Sequence, residues 1–193
     1  MNNKSIAVVG AGYWGKNLVR IFSELGVLKA VCEKNPGTIK ELSKAYPHCV
    51  FYSSLKELIA NKGIKAVVVA TPAETHFVLA REALLSGKHV LVEKPLTLSE
   101  KDAEELIAIA QKQNLILMVG HLLQYHPAFI RLIELASAGD LGRINYIYSR
   151  RLNLGKIRRE ENILWSFAPH DISMILALAG EEPENVIATG GNY

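Results

Sequence analysis

Two cysteines, Cys32 and Cys49, are all that the 193 residues contain. So small a number excludes a disulfide framework. Nothing in the sequence has the ligand spacing of a metal site, so no metal is expected. Long apolar runs are also missing. No stretch approaches the length that crosses a bilayer, and no membrane partner is expected. No signal-peptide pattern precedes the first apolar segment, and the expected location is the cytoplasm. An excess of one charge is missing too. The 22 basic residues face 19 acidic ones, a net charge of +3, too mild to imply a nucleic-acid partner. The one local basic cluster is Arg150, Arg151, Lys156, Arg158 and Arg159. With 49% hydrophobic and 21% charged residues, the composition is that of a globular, soluble chain of one or two domains with a sizeable core.

What the chain does have is a glycine pattern in an informative place. The apolar run Ile6-Ala7-Val8-Val9 leads directly into Gly10-Ala11-Gly12-Tyr13-Trp14-Gly15, a G-x-G-x-x-G pattern between a strand-like run and a helix-like one. Gly10 permits a tight strand-to-helix turn, Gly12 lets the backbone approach a pyrophosphate, and Gly15 lets the helix pack closely. A helix that starts there offers free N–H groups and the positive end of its dipole to phosphates. Trp14, Leu18, Ile21, Phe22 and Leu25 recur with helical period, and Gly26 stops the run. Residues 28–32 read as a second strand, ending at Glu33. An acid about 20 positions beyond the glycines, at a strand end, is placed to bind adenosine ribose hydroxyls. Its charge would repel a 2′-phosphate, so NAD is expected rather than NADP, although Lys34 beside it works the other way.

Strand and helix patterns then alternate, as a parallel sheet with crossover helices requires. Asn35-Pro36-Gly37 reads as a turn before a helix over 39–46, and 50–52 as a short strand. Ser54 and Glu57 have capping-box spacing for a helix reaching Asn61. Residues 66–70 form a strand, 74–86 a helix stopped by Gly87, and 89–92 the next strand. Ser99 is expected to cap a helix over 100–114 whose apolar face is Ala103, Leu106, Ile107 and Ala110, and 115–119 is a sixth strand. The expected class is α/β: a Rossmann doubly wound parallel sheet over residues 1–120. Residues 121–193 change character. A helix over 127–137 and a turn at 139–142 precede a long strand over 143–152, with Ile144, Tyr146 and Tyr148 alternating with polar residues. A polar loop over 154–166, a helix over 170–179 and a strand over 186–192 follow. Two strands and two helices make a poor independent sheet, so this second domain is expected to be an incomplete α+β domain, in a shortened chain or one that needs a partner.

Three further clusters fall beyond the C-terminal ends of strands, where such a sheet presents its ligands. They are 70–76, 93–95 and 120–127. Gly10 to Gly15, Ala70-Thr71-Pro72 with His76 downstream, Glu93-Lys94-Pro95 and Ala168-Pro169-His170-Asp171, in this order, resemble the Gfo/Idh/MocA oxidoreductase family. The resemblance implies NAD(P)-dependent oxidation or reduction of a sugar or polyol hydroxyl. It also implies a second domain that binds a small-molecule substrate and often builds a homo-oligomer interface. The wording of 120–127, 148–155 and 164–171 is similar to the branch acting on nucleotide sugars, which implies a UDP-linked N-acetyl amino sugar oxidised at C3.

The resemblance also implies roles. Lys94 matches the lysine that binds the reacting oxygen and shares its proton; a charged nicotinamide and partial desolvation both lower a lysine pKa. Glu93 and Lys94 also belong to the cofactor side, and Pro95 fixes the chain direction. His170 matches the histidine near the reacting hydroxyl, as acid/base or relay. Thr71, Pro72 and His76 are expected to line the nicotinamide half of the groove, with Ala11, Tyr13 and Trp14 in the glycine loop. His121, Tyr125, Arg151, Arg158 and Asp171 are the substrate-side candidates. His48 and His89 read as structural. Plainer readings stand beside these: Lys94 as a solvated loop lysine, His170 as a helix-start residue that caps or packs, the arginines as a solvated basic loop. Two positions depart from the family. Ser166 stands where many members have an acid four residues before the histidine. Gln124 stands where an arginine is common. A dehydrogenase of a free sugar or polyol, or a cofactor-binding module without turnover, are the alternatives.

Overall fold

The computed structural model describes residues 5–152 and 162–191. The chain divides into two compact units, the first running to Gly120 and the second beginning at His121.

The first unit is a six-stranded sheet in the order β3-β2-β1-β4-β5-β6. Its strands are β1 (Ile6–Val9), β2 (Leu28–Cys32), β3 (Val50–Tyr52), β4 (Ala66–Val69), β5 (His89–Val92) and β6 (Leu117–Val119). Every neighbouring pair is parallel, as short apolar runs separated by helices demand. The strands β1, β2 and β4 carry two buried faces, and the alternation sorts them. Ala7, Val9, Ala30, Cys32, Val67 and Val69 pack into one core, while Val8, Val31 and Val68 pack into the other. On the first face lie α3 (Leu55–Ala60), α4 (His76–Leu85) and α5 (Glu100–Lys112), through Leu58, Leu84 and Leu106. On the second lie α1 (Gly15–Glu24) and α2 (Pro36–Ala45), through Val19 and Leu42. Leu58, Leu84 and Leu106 are fully buried, each contributing about 1.5–3 kcal/mol of transfer free energy.

Several local expectations change. Asn35-Pro36-Gly37 is the start of α2 rather than a separate turn. The Asn35 side chain accepts from the Gly37 and Thr38 N–H groups at 2.8 and 3.2 Å, with Pro36 in the first helical turn. Asparagine followed by proline is as good a helix start as it is a turn. Ser54 and Ser99 precede helices but make no side-chain cap bond. On α5, Leu106 and Ala110 are buried, while Ile107 is 45% exposed and Ile109 packs inward instead.

In the second unit, a 3₁₀ turn (Leu122–Tyr125) leads to α6 (Pro127–Ser137), and α7 (Ile163–Ala179) follows. The His126 ring caps α6 by accepting from the Ala128 N–H at 3.2 Å. The expected strands over 143–152 and 186–192 are absent among the described residues. Alternation shows which side chains share a face, but a strand exists only with a hydrogen-bonded neighbour. Tyr146 and Tyr148 are accordingly 85% and 70% exposed. The loop expected over 154–166 is also corrected. Residues 154–161 lie outside the described residues, and 163–166 are helical. Pro169 falls inside α7, so His170 is a mid-helix residue. Proline cannot donate to the helical ladder, which is why it reads as a boundary. No helix among the described residues is long and apolar enough to cross a membrane.

Candidate functional site

The sheet order reverses between β1 and β4, and the loops that leave those two strands diverge there. Such a switch point is where open α/β sheets bind ligands. A cavity of about 680 Å³ opens at this edge, lined by Gly10 and Gly12 after β1, Glu33 and Lys34 after β2, and Thr71 and Pro72 after β4. Gly10 has φ +86°, and a Cβ there would stand 2.7 Å from the Ala70 carbonyl oxygen. Only glycine takes both the conformation and the contact. A Cβ on Gly15 would meet the Gly10 carbonyl oxygen at 2.0 Å. Its smallness therefore serves the turn itself, more than the approach of helix to sheet. A Cβ on Gly12 would meet nothing within 4 Å, which leaves its backbone open to a ligand.

The acid at the end of β2 is held in place. The Glu33 carboxylate accepts from the Ala11 N–H at 2.8 Å through Oε2 and from the Asn35 N–H at 2.9 Å through Oε1. An ionised carboxylate accepts about four hydrogen bonds, so capacity remains for the hydroxyls of a ribose. Ala11 itself is buried and contributes through that N–H. Open backbone at Gly12, the N-terminus of the ten-residue α1 behind it and a fixed acid on the cavity wall fit a dinucleotide. Cys32 also lines the cavity, and its thiol is pushed up to about 11, first by burial and then by the charge of Glu33.

The loops after β4 and β5 are joined. Thr75 Oγ donates to the Pro72 carbonyl at 2.7 Å, which leaves the Thr71 hydroxyl to donate to Thr75 Oγ, also at 2.7 Å. His76 was expected to line the groove; it is 1% exposed instead. Its Nε2 lies 2.8 Å from the Thr71 carbonyl oxygen and its Nδ1 2.7 Å from that of Pro95. A ring engaged on both sides positions two loops rather than touching a ligand. Glu93 and Lys94 follow β5 and are half-buried, and Trp14 Nε1 donates to Glu93 Oε1 at 2.8 Å. The Lys94–Pro95 peptide is cis. Tyr13 is 96% exposed.

The second unit gathers the other candidates. The rings of His121 and His170 stand edge to face, their centroids 6.3 Å apart. Arg151 and Asp171, both expected to face substrate, pair with each other: Arg151 Nε donates to Asp171 Oδ2 at 2.6 Å, and Ser149 Oγ to Oδ1 at 2.9 Å. The Arg151 bond is the largest cause holding the Asp171 carboxyl below its ordinary range; Ser149 adds to it and burial opposes it. Tyr125 is 63% exposed. Arg158 lies outside the described residues. Gln124 donates from Nε2 to the Ser173 carbonyl at 2.6 Å, tying the turn before α6 to α7.

Residues 4–121 match the model of the Gfo/Idh/MocA oxidoreductase family, described as having an NAD-binding Rossmann fold. The chain belongs to this family. A UDP-N-acetylglucosamine 3-dehydrogenase of Acidithiobacillus ferrooxidans is 32% identical over 95% of the chain and 56% of its own length. The solved structure of the Acidithiobacillus ferrooxidans UDP-N-acetylglucosamine 3-dehydrogenase is 30% identical with a TM-score of 0.83, covering 98% of this chain and 62% of that one. A gentamicin A biosynthesis protein, solved in complex with NAD, is 25% identical with a TM-score of 0.80, over 93% of this chain and 54% of that one. The chain thus spans about half the length of the curated relatives it matches.

Sequence reasoning misses part of the Gfo/Idh/MocA cavity wall. Ser53 and Ser54 after β3, and Thr75 and Leu79 around the start of α4, also line it. Their signal was available, since every loop at the C-terminal end of a parallel strand on this side of the switch point faces the crevice.

Proposed function

We propose that the protein is an NAD-dependent dehydrogenase that oxidises a secondary hydroxyl of a sugar, at C3 of a UDP-linked N-acetyl amino sugar. The observation that carries the reading is the cavity at the β1–β4 switch point, with Glu33 fixed on its wall and Lys94 at the end of the next strand. Family membership and the 32% identical 3-dehydrogenase support it.

The dinucleotide, when bound, supplies the acceptor for the hydride. The residues of the chain do the rest. The glycine turn and the start of α1 bind the phosphates. The free acceptor positions of Glu33 take the adenosine ribose hydroxyls, and its charge opposes a 2′-phosphate, so NAD is the preferred form; Lys34 and Lys56 on the same wall soften that preference. Lys94 Nζ binds the hydroxyl oxygen of the substrate and takes its proton as the carbon–oxygen bond becomes a carbonyl. Within the second unit, His170 is the further acid/base group, and His121, Tyr125 and the Arg151–Asp171 pair are the substrate-side groups.

The test is reduction of NAD with a panel of UDP-sugars and free polyols. The expected result is turnover with a UDP-N-acetyl amino sugar and none with free polyols. Turnover of free sugars alone would move the substrate class. Tight NAD binding with no turnover of any candidate would leave a cofactor-binding module.

A further inference from the structure

We infer that Trp14 is a positioning residue, which sets the place of Lys94 by clamping the carboxylate of Glu93 between its indole and Gly120. Two independent observations meet at that carboxylate. The indole Nε1 of Trp14, in the glycine loop, donates to Glu93 Oε1 at 2.8 Å across 79 residues of sequence. The same carboxylate lies against the backbone of Gly120, at the end of β6. A Cβ built on Gly120 would stand 2.9 Å from Oε2, 3.0 Å from Cδ and 3.1 Å from Oε1. Gly120 is itself fixed, its N–H donating to the Val92 carbonyl at 2.7 Å. The clamp therefore joins three loops, after β1, β5 and β6.

Lys94 is the residue between two anchors. Its predecessor Glu93 is held by Trp14, and its successor Pro95 is held through its carbonyl by His76. A bond from a neutral N–H to a carboxylate is of the stronger, charge-assisted kind. Trp14 is 42% exposed, so its ring is not needed to fill a core, and its N–H is the part with a defined partner. A dinucleotide that orders the glycine loop would, through this bond, order the loop that carries Lys94. The consequence for turnover rests on the dehydrogenase reading above; the clamp itself does not.

Three variants separate the parts. Trp14→Phe keeps the ring and removes the donor. Gly120→Ala leaves the donor and pushes the carboxylate off its seat. Glu93→Gln keeps an oxygen that can accept from the indole. Two measurements are made on the whole chain: the rate at which Lys94 is reductively methylated, read by mass spectrometry without cofactor, and the affinity for NADH by calorimetry. The expected result is a several-fold change in Lys94 labelling in Trp14→Phe and Gly120→Ala, a smaller one in Glu93→Gln, and NADH affinity kept within a few-fold in Trp14→Phe. Where turnover is measured, kcat falls by about tenfold to a hundredfold, the scale of a small misplacement of a reacting group. Unchanged Lys94 labelling in both Trp14→Phe and Gly120→Ala would overturn the clamp, whatever happens to NADH. Loss of NADH binding in Trp14→Phe with labelling unchanged would make Trp14 a cofactor contact only. Failure of the unsubstituted chain to bind NADH would defeat the dehydrogenase reading, while the labelling rates would still decide the clamp.

Discussion

The ring of His76 holds the carbonyl oxygen of Pro95 at 2.7 Å, from a position 1% exposed to solvent. With its other nitrogen at the Thr71 carbonyl, it ties the loop on the cavity wall to the loop that carries Lys94. His76→Ala removes the ring from both contacts and leaves a void beneath both loops. Stability is expected to fall by about 2–4 kcal/mol, measured as the midpoint of denaturant unfolding. Added imidazole should restore part of the loss by filling the void. No change in the midpoint would mean that the two loops hold themselves.

Glu33 supports its own loop and, on the proposed reading, the ribose. Glu33→Ser keeps a small polar group but removes the charge and the bonds to Ala11 and Asn35. NAD affinity is expected to fall by about tenfold, the scale of one lost hydrogen bond to a charged group, while NADP loses less or gains. Dissociation constants for both dinucleotides, measured on the same preparations, check this. An unchanged ratio would place the discrimination elsewhere on the wall.

The Asp171 carboxyl is held low by Arg151 and then Ser149. For a carboxylate depressed on folding, the stabilisation is present above the unfolded value, about 3.9, and is lost as the pH falls through the folded one. The pair is partly exposed, so its worth is modest, up to about 1 kcal/mol. Arg151→Gln is expected to move the Asp171 carboxyl titration upward, seen by carbon NMR, and to shrink the part of the stability that is lost in acid.

Cys32 runs the other way. A thiol raised to about 11 stays protonated in the fold. Its contribution is intact below the ordinary value of 9.0 and is lost as the pH rises through about 11. Cys32→Ala should flatten the alkaline decline in stability, and thiol reagents should modify the unsubstituted Cys32 slowly near neutrality. Rapid modification would contradict the buried placement.

The first unit is legible in the sequence because its signals are local and agree. Apolar runs such as 6–9 and 66–69 sit between glycine stops and amphipathic helices, and only a parallel sheet accommodates that order. The glycine turn and Glu33 follow from the same register. The second unit is less legible. Alternation at Ile144, Tyr146 and Tyr148 does not supply a neighbouring strand, and Pro169 hides the continuity of α7. The site shows the same divide. Lys94 is marked by its neighbours in sequence, whereas the bonds that place it, Trp14 to Glu93 and His76 to Pro95, join residues that only the fold brings together. His76 looks like a groove residue because it follows Thr71 and Pro72, and burial gives it a different task.

The most direct test compares the unsubstituted protein with Lys94→Met, measuring NAD affinity by calorimetry and NAD reduction with a UDP-N-acetyl amino sugar. Lys94→Met is expected to bind NAD as the unsubstituted protein does and to lose turnover by about a hundredfold or more, the scale of a general base. Equal turnover in the two proteins, or NAD binding without turnover in the unsubstituted one, would contradict a lysine-assisted dehydrogenase.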